Sequence, residues 1–276
     1  MSGTSMVKLL HFADLHLDTP FGWAPPPVAR ARRASLRRTL DSITDLARSL
    51  HVDALTCGGD LYEQERFTPD TASYLRDTFA ALEPIPVLLA PGNHDWYGPH
   101  SLYAQVSWSP NVHVFTEDQL TGYPLSDTVT VWGAAHRAPA NTRGFLDNVT
   151  VPRDGVHLAL FHGSEQGWAT GPGSGQVPHA PFRAEQVQQA GFAHALLGHF
   201  HAPRDTPTHT YPGNPAPLTF GESGPRGAVL LTVDPASGQV TTQRYPVASS
   251  AAHDRTVDIT GATHADEIRR RVLEAV

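Results

Sequence analysis

Cysteine is nearly absent from this sequence: Cys57 is the single one among 276 residues. An internal disulfide is thereby excluded, and a closed structural zinc site built on thiolates lacks its ligands. Its position between apolar Leu55 and Gly58 predicts burial as a small hydrophobe. Long apolar runs are missing too. The longest, such as residues 156–161 and 228–233, fall far short of the roughly 20 residues that span a bilayer, so no membrane helix is expected. The opening residues are small and polar rather than a charged segment leading into an apolar one; that is not a secretory signal, and the default expectation is the cytoplasm. Met6 directly precedes the first strand-like run, so residues 1–5 are expected to lie outside the fold. Positive charge is in deficit, with Lys+Arg 20 against Asp+Glu 27 and a formal net charge of −7. A broad basic surface that would hold a polyanion is therefore excluded. Locally bound nucleic acid is not, because two divalent cations would add about four positive charges at one spot. Internal repeats and long low-complexity segments are also lacking.

What is present is enough apolar material, 40% of residues, for one sizeable core in one main domain. Residues 7–13, 54–56, 86–90 and 156–161 are short apolar runs that stop abruptly at polar residues, as buried strands do when they deliver polar groups at their C-terminal ends. Between them, Leu36, Leu40, Ile43, Leu46, Ala47 and Leu50, and then Tyr74, Leu75, Phe79 and Leu82, recur at helical spacing. That alternation predicts an α/β core. Residues 195–197, 209–211, 228–233 and 240–245 are separated by Pro- and Gly-rich turns and read as further, antiparallel strands. Residues 168–181, rich in Gly, Pro and Ser, are expected to form an exposed loop after His162. From Val257 a strand-like stretch precedes a helix start at residues 263–267 and a helical run to Val276.

The polar residues at the strand ends carry the chemistry. Asp14-Leu15-His16 places a carboxylate and an imidazole two residues apart, on one face of an extended chain. Gly58-Gly59-Asp60 combines a sharp turn with a carboxylate able to bridge two cations. Gly92-Asn93-His94-Asp95 repeats the plan: Asn93 offers a neutral oxygen ligand, and His94, one residue on, can face the open side where a substrate would lie. His162 closes another strand, and Gly198-His199-Phe200-His201 sets two imidazoles two residues apart. Each cluster alone is commonplace as a turn with solvated neighbours. Five together at strand ends predict a dinuclear site, whose mixture of imidazole, carboxylate and amide oxygen suits manganese, iron or zinc. Two cations about 3.5 to 4 Å apart clamp a phosphate and activate water for in-line displacement, so hydrolysis of a phosphate ester is the expected reaction.

In order and spacing these clusters resemble the calcineurin-like metallophosphoesterase superfamily. The flanks His11-Phe12-Ala13-Asp14-Leu15-His16-Leu17-Asp18, Tyr211-Pro212-Gly213-Asn214-Pro215 and Phe220-Gly221-Glu222 are similar to the SbcD-type DNA repair exonucleases more than to the protein phosphatases. The resemblance implies a four-layer α/β sandwich of two mixed β-sheets flanked by helices. It implies one metal on Asp14, His16, Asp60 and His201 and a second on Asp60, Asn93, His162 and His199, with Asp60 as the bridge. His94 is then the non-ligand histidine that protonates the leaving oxygen or steadies the transition state, and Asp95 orients the cluster from behind. Manganese is the usual metal of such nucleases. The catalytic domain is expected over 6–250, with 251–276 an extension that matches the start of a DNA-capping domain; an SbcC-type ATPase is the partner if the chain continues.

Three functions follow from this reading: a DNA phosphodiesterase, a phosphoesterase acting on cyclic nucleotides or other small phosphoesters, and a metal-bearing scaffold without turnover. Arg30, Arg32, Arg33, Arg37 and Arg38 on the first helix, beyond the loop Pro25-Pro26-Pro27, are read as a solvated face with contact to a nucleic-acid backbone as the alternative. Trp23 and Trp96 are candidates to stack on bases or to pack beside the site. Of 16 histidines, His51, His100, His179, His209 and His253 are read as ordinary surface or loop residues.

Overall fold

A computed structural model of the protein describes residues 5–140, 142–168, 178–253 and 255–275. In chain order the elements are β1 (Val7–Phe12), α1 (Pro26–Leu50), β2 (Ala54–Cys57), α2 (Pro69–Ala80), β3 (Val87–Leu89), α3 (Leu102–Gln105), β4 (Val112–Val114), β5 (Thr121–Pro124) and β6 (Val129–Gly133). They continue with β7 (Val156–His162), α4 (Ala184–Gln189), β8 (His194–Gly198), β9 (Arg204–Asp205), β10 (His209–Tyr211), β11 (Gly227–Val233), β12 (Val240–Pro246) and α5 (Ala265–Glu274).

The strands form two six-stranded sheets, ordered β12-β11-β1-β2-β3-β4 and β5-β6-β7-β8-β10-β9. Both are mixed: β1 to β4 run parallel in the first, and β6, β7, β8 and β10 in the second, with antiparallel strands at the margins. Period two decides which core each side chain joins. Leu9, Ala54, Leu88, Val131, Leu158, Leu160, Leu196 and Leu231 fill the space between the sheets. Leu10, Phe12, Leu55 and Leu89 point the other way, onto Leu36, Leu40 and Ile43 of α1 and Leu75 and Phe79 of α2. Ala159, Phe161, Ala195 and Leu197 pack outward on the second sheet against Phe145, Phe182 and Val187 of α4. Helix, sheet, sheet, helix is the four-layer sandwich. Strands covered on both faces have no solvent side, which is why β2, β7 and β8 read as continuous apolar runs. Each Leu or Phe so buried contributes about 1.5–3 kcal/mol.

Three expectations are corrected. The strands of the second half are not uniformly antiparallel: β8 pairs in parallel with β7, the crossover between them carrying α4, and β10 pairs in parallel with β8, the chain returning between them through the edge strand β9. Pro26 and Pro27 are not loop residues but the first turn of α1, where a missing N–H costs nothing. The stretch from Val257 forms no strand; α5 follows it, capped at His264 and without a buried residue. Of the loop expected over 168–181, residues 169–177 lie outside the described residues. Among the described residues no helix is long and apolar enough to cross a membrane.

Two contacts lock the sheets together where their parallel strands end. A Cβ placed on Gly58 would stand 2.9 Å from the Gly198 nitrogen, and one placed on Gly198 would collide with the Gly58 carbonyl, so the two backbones touch because neither residue has a side chain. Beside them the fully buried His11 of β1 donates from Nε2 to the Leu197 carbonyl of β8 at 3.0 Å and accepts at Nδ1 from the Thr56 hydroxyl at 3.0 Å. That imidazole is neutral, since burial lowers its pKa to about 4.

Gly198→Ala is expected to cost about 1–3 kcal/mol and to lower Tm by roughly 2–10 °C; calorimetry of the metal-free protein giving an unchanged Tm would refute the contact. His11 has its folded pKa below the unfolded 6.5, so the unfolded chain binds the extra proton between those values. Its contribution is complete above pH 6.5 and lost as pH falls toward 4, amounting to about 2 kcal/mol by pH 4.5. Urea unfolding in EDTA at pH 7 and pH 4.5 should show a smaller pH-dependent loss in His11→Gln than in the parent.

Candidate metal centre

The parallel strands stop at the same level, and the backbone continues in register beyond them. The N–H of Asp14 donates to the Gly59 carbonyl and that of His16 to the Asp60 carbonyl, both at 2.9 Å. The turns after β1 and β2 are thus zipped side by side. Asp14, His16, Asp60 and His199 have φ of 56°, 51°, 52° and 112°. Such left-handed conformations cost L-residues of order 1–3 kcal/mol each and cluster at functional sites. Asp14 and His16 are therefore not on an extended chain as expected: β1 ends at Phe12, and left-handed turns rather than strand alternation bring them together.

Asp95 holds the turns from behind. Its buried carboxylate accepts from the N–H groups of Asp60 (3.0 Å), Leu61 (2.7 Å) and Gly92 (2.6 Å) and from the Tyr103 hydroxyl (2.6 Å). The two loops that carry Asp60 and Asn93 therefore share one anion. Asp14 performs a similar service across the sheets, accepting from the His199 N–H at 3.0 and 3.1 Å.

The seven predicted ligands converge. Ligand atoms of Asp14, His16 and His201 lie within 4.8 Å of one another, as do those of Asp14, Asp60 and His162. His162 Nε2 stands 3.0 Å from Asn93 Oδ1 and 3.2 Å from Asp60 Oδ2. His199 joins by its ring, 5.1 Å from that of His162. His94 lies across the opening: its side chain is 48% exposed, its N–H donates to Asp60 Oδ1 at 2.8 Å, and its ring meets that of His16 edge-on at 4.9 Å.

The donor set fits cations. His16 Nδ1–H donates to Glu63 Oε1 at 2.8 Å, which leaves Nε2 as the lone-pair nitrogen, and that buried atom has no hydrogen-bond partner. His201 is oriented in the same way by Glu222, 2.7 Å from its Nδ1, and His162 by the Gly58 carbonyl, 2.9 Å from its Nδ1. Imidazoles whose far nitrogen is held by a carboxylate or carbonyl are the usual form of metal-binding histidine. With Nδ1–H committed, His162 Nε2 faces two oxygen acceptors, an arrangement that needs either a proton or a shared cation between them.

Without a cation the charges compensate as best they can. Burial opposes protonation of His162, but Asp60 and Asp14 outweigh it and raise its pKa to about 9. Burial alone would raise Asp60; the imidazoles of His162, His16 and His94 hold it well below the carboxylate range. Asp14 is pushed up by burial, which His162 and His201 only partly offset. Burial and His162 lower His199 to about 2, so it is a neutral donor. The hydrogen bond to Glu63 raises His94 to about 9. Glu63 itself falls to about 2, as its bonds from His16 and His94 overcome burial.

Several participants are not legible in the sequence. Glu63 carries no motif, and its role, one carboxylate serving both His16 and His94, comes from the turn after β2. His136 is likewise without a motif; it is fully buried, and its Nε2 lies 2.7 Å from the His162 carbonyl. Glu222 does have a signal, since it lies in a flank used for the resemblance, and Asn214 of another flank donates to it at 2.6 Å. Of the histidines read as surface or loop residues, His209 departs from that reading, while His179 lies half-buried in a loop beside the site. His209 is fully buried with Nε2 3.2 Å from Glu165, and the ring of His179 stands 5.3 Å from that of His199. Trp23 borders the cleft, whereas Trp96 lies over Gly98 and is not among the lining residues. On α1, Arg32 and Arg37 are not purely solvated: Arg32 donates to the Pro217 carbonyl and Arg37 pairs with Asp70 at 2.7 Å.

The chain is similar to known proteins in sequence and in fold. The chain is 26% identical over 241 residues to the uncharacterized metallophosphoesterase YhaO of Bacillus subtilis, an alignment covering 82% of this chain and 57% of that protein. It is 24% identical over 299 residues to the DNA double-strand break repair protein Mre11 of Methanopyrus kandleri, covering 96% and 62%. The chain thus spans about three-fifths of the length of these curated relatives. Among solved structures, TT1561 of Thermus thermophilus shares the fold with a TM-score of 0.50 at 12% identity, over 87% of this chain and 99% of that one. The sequence profile of the calcineurin-like phosphoesterases matches residues 7–203, from the first strand through the turn that carries His199 and His201. All five clusters fall inside that match, and the chain belongs to the calcineurin-like phosphoesterase family.

Proposed function

We propose that this chain is a manganese-dependent phosphodiesterase that hydrolyses DNA. The observation that carries the reading is the convergence of seven ligand-type side chains beneath a cleft of about 440 Å³ that His94 borders from the open side. Asp14, His16, Asp60 and His201 would hold one divalent ion and Asp60, Asn93, His162 and His199 the other, with Asp60 shared. Bound there, the pair of cations supplies Lewis acidity toward the phosphate and toward water.

The chain's own residues account for the remainder. Glu63 accepts from His94 Nδ1 at 3.1 Å, which turns Nε2 toward the cleft and favours the charged ring. A protonated His94 can donate from Nε2 to the leaving oxygen or to a non-bridging oxygen as charge builds there. Glu63 and Glu222 keep His16 and His201 in the orientation that ligation needs. Support for DNA comes from the Mre11 relative and from the SbcD-type flanks. On the same reading, 251–276 would be the start of a capping unit, with an SbcC-type ATPase as the partner if the chain continues.

A second reading keeps the chemistry and changes the substrate to cyclic nucleotides or other small phosphoesters. The net charge of −7 and a cleft of nucleotide size favour it. Rates on bis-para-nitrophenyl phosphate, cyclic nucleotides and single-stranded oligonucleotides separate the two, with DNA expected to give the highest kcat/KM.

Labelled oligonucleotides should be cleaved in manganese, and His94→Ala should lower kcat by about 10²- to 10⁴-fold while keeping both metals by elemental analysis. No cleavage, or cleavage that His94→Ala leaves intact, refutes the proposal. Glu222→Gln is expected to weaken metal binding by about 10- to 100-fold in calorimetric titration; an unchanged affinity would show that Glu222 does not orient His201 for ligation.

A further inference from the structure

Two large aromatic side chains stand in the open, Trp23 lining the cleft and Phe220 following its lining residue Thr219. Trp23 is 48% exposed and Phe220 69% exposed, and their rings lie 4.6 Å apart with their planes tilted by 55°, so that each offers its own face to solvent. They come from different loops, one after β1 and one before β11. Trp23 lines the same cavity as His16, Asp60, His94, His199 and His201. A partner with a flat apolar face can remove such rings from water by offset stacking.

Both loops are anchored to the metal centre. Thr19 donates to the His16 carbonyl at 2.7 Å, and Phe220 is two residues from Glu222, which holds His201. Buried Phe21 supports Trp23 edge-on, with ring centroids 6.2 Å apart. Arg32 ties the two loops together: its guanidinium lies 5.3 Å from the Phe21 ring centre and donates to the Pro217 carbonyl. Arg33 flanks the first loop, donating to the Pro20 carbonyl at 3.3 Å. An aromatic pair beside arginines, at the edge of a cleft proposed to take a phosphodiester, has the chemistry of a nucleotide subsite. Base faces stack on aromatic rings and the backbone meets positive charge, even in an acidic protein.

We propose that Trp23 and Phe220 form a stacking platform for a nucleobase adjoining the phosphodiester in the cleft. The proposal rests on the phosphodiesterase reading and narrows it: the substrate is a phosphodiester flanked by a base, and base stacking, rather than base-edge hydrogen bonding, provides the grip. Stacking is indifferent to base identity, so little sequence preference follows at this position.

The test uses the manganese-loaded protein and fluorescence anisotropy with two labelled single-stranded hexanucleotides joined by phosphorothioates, one with bases and one wholly abasic. The parent protein is expected to prefer the base-bearing probe by at least about tenfold. Trp23→Ala should reduce that preference by about tenfold and Phe220→Ala by a smaller factor, while Trp23→Tyr, which keeps a ring, should restore most of it. On cleavable DNA the loss should fall on KM rather than kcat. Equal binding of both probes by the parent, or a preference that Trp23→Ala leaves unchanged, overturns the platform while DNA cleavage still stands for the phosphodiesterase reading. Failure to bind either probe, together with no DNA cleavage, overturns both.

Discussion

The close approach of Gly58 and Gly198 is the constraint on which the rest of this structure depends. Two sheets can pack face to face at many angles, but only backbone-to-backbone contact at their ends brings the turn after β2 and the turn after β8 into one pocket. Asp60 lies two residues beyond one glycine and His199 one residue beyond the other. A side chain at either contact would part the sheets where the ligand atoms must meet within a few ångströms. The neutral His11 imidazole seals the same junction with directional bonds, so the separation of the sheets is set by geometry as well as by apolar packing.

Above that junction the problem is electrostatic. Asp14, Asp60 and Asp95 are all buried, and buried carboxylates are costly unless they are satisfied. Asp95 is satisfied by four donors, so its charge serves to gather the Asp60 and Gly92 turns. Asp14 and Asp60 have fewer donors of their own and lean on histidines that must also remain available as lone-pair donors. The tension shows in His162, raised to about 9 between Asp60 and Asp14, and in the orphaned nitrogen of His16. Divalent cations held by these residues would relieve both at once, supplying the positive charge the oxygens call for. Glu63 and Glu222 form an outer ring of carboxylates that makes the imidazoles better donors. The four ligand residues in left-handed conformations indicate how much backbone distortion the surrounding hydrogen bonds sustain.

The five ligand clusters were legible because each combines an abrupt end to an apolar run with a polar residue of one chemical kind, a pattern that a strand-end site imposes on the local sequence. The buried strands and the two long helices were legible for the same reason: period two and period 3.6 are local properties. Strand direction in the second half was not, since the crossover helix before β8, α4, has only six residues, and the return from β8 to β10 runs through a two-residue strand with no helical period to read. Glu63, His136 and the true setting of His179 and His209 escaped because a carboxylate or imidazole that touches the site through a turn looks no different in sequence from one in water.

By itself, then, the sequence determined the kinds of ligand, their order, the strand ends that carry them and the layers of the core, because hydrophobic periodicity and turn chemistry act over a few residues. Tertiary structure alone decided which clusters meet, which carboxylate orients which imidazole, and that Trp23, which lines the cleft, meets Phe220. Those relations join residues up to about two hundred positions apart, such as Asp14 and His199, and depend on the distance between two sheets. No local pattern encodes that distance; it emerges when side-chain volumes and the bare glycine contact are satisfied together.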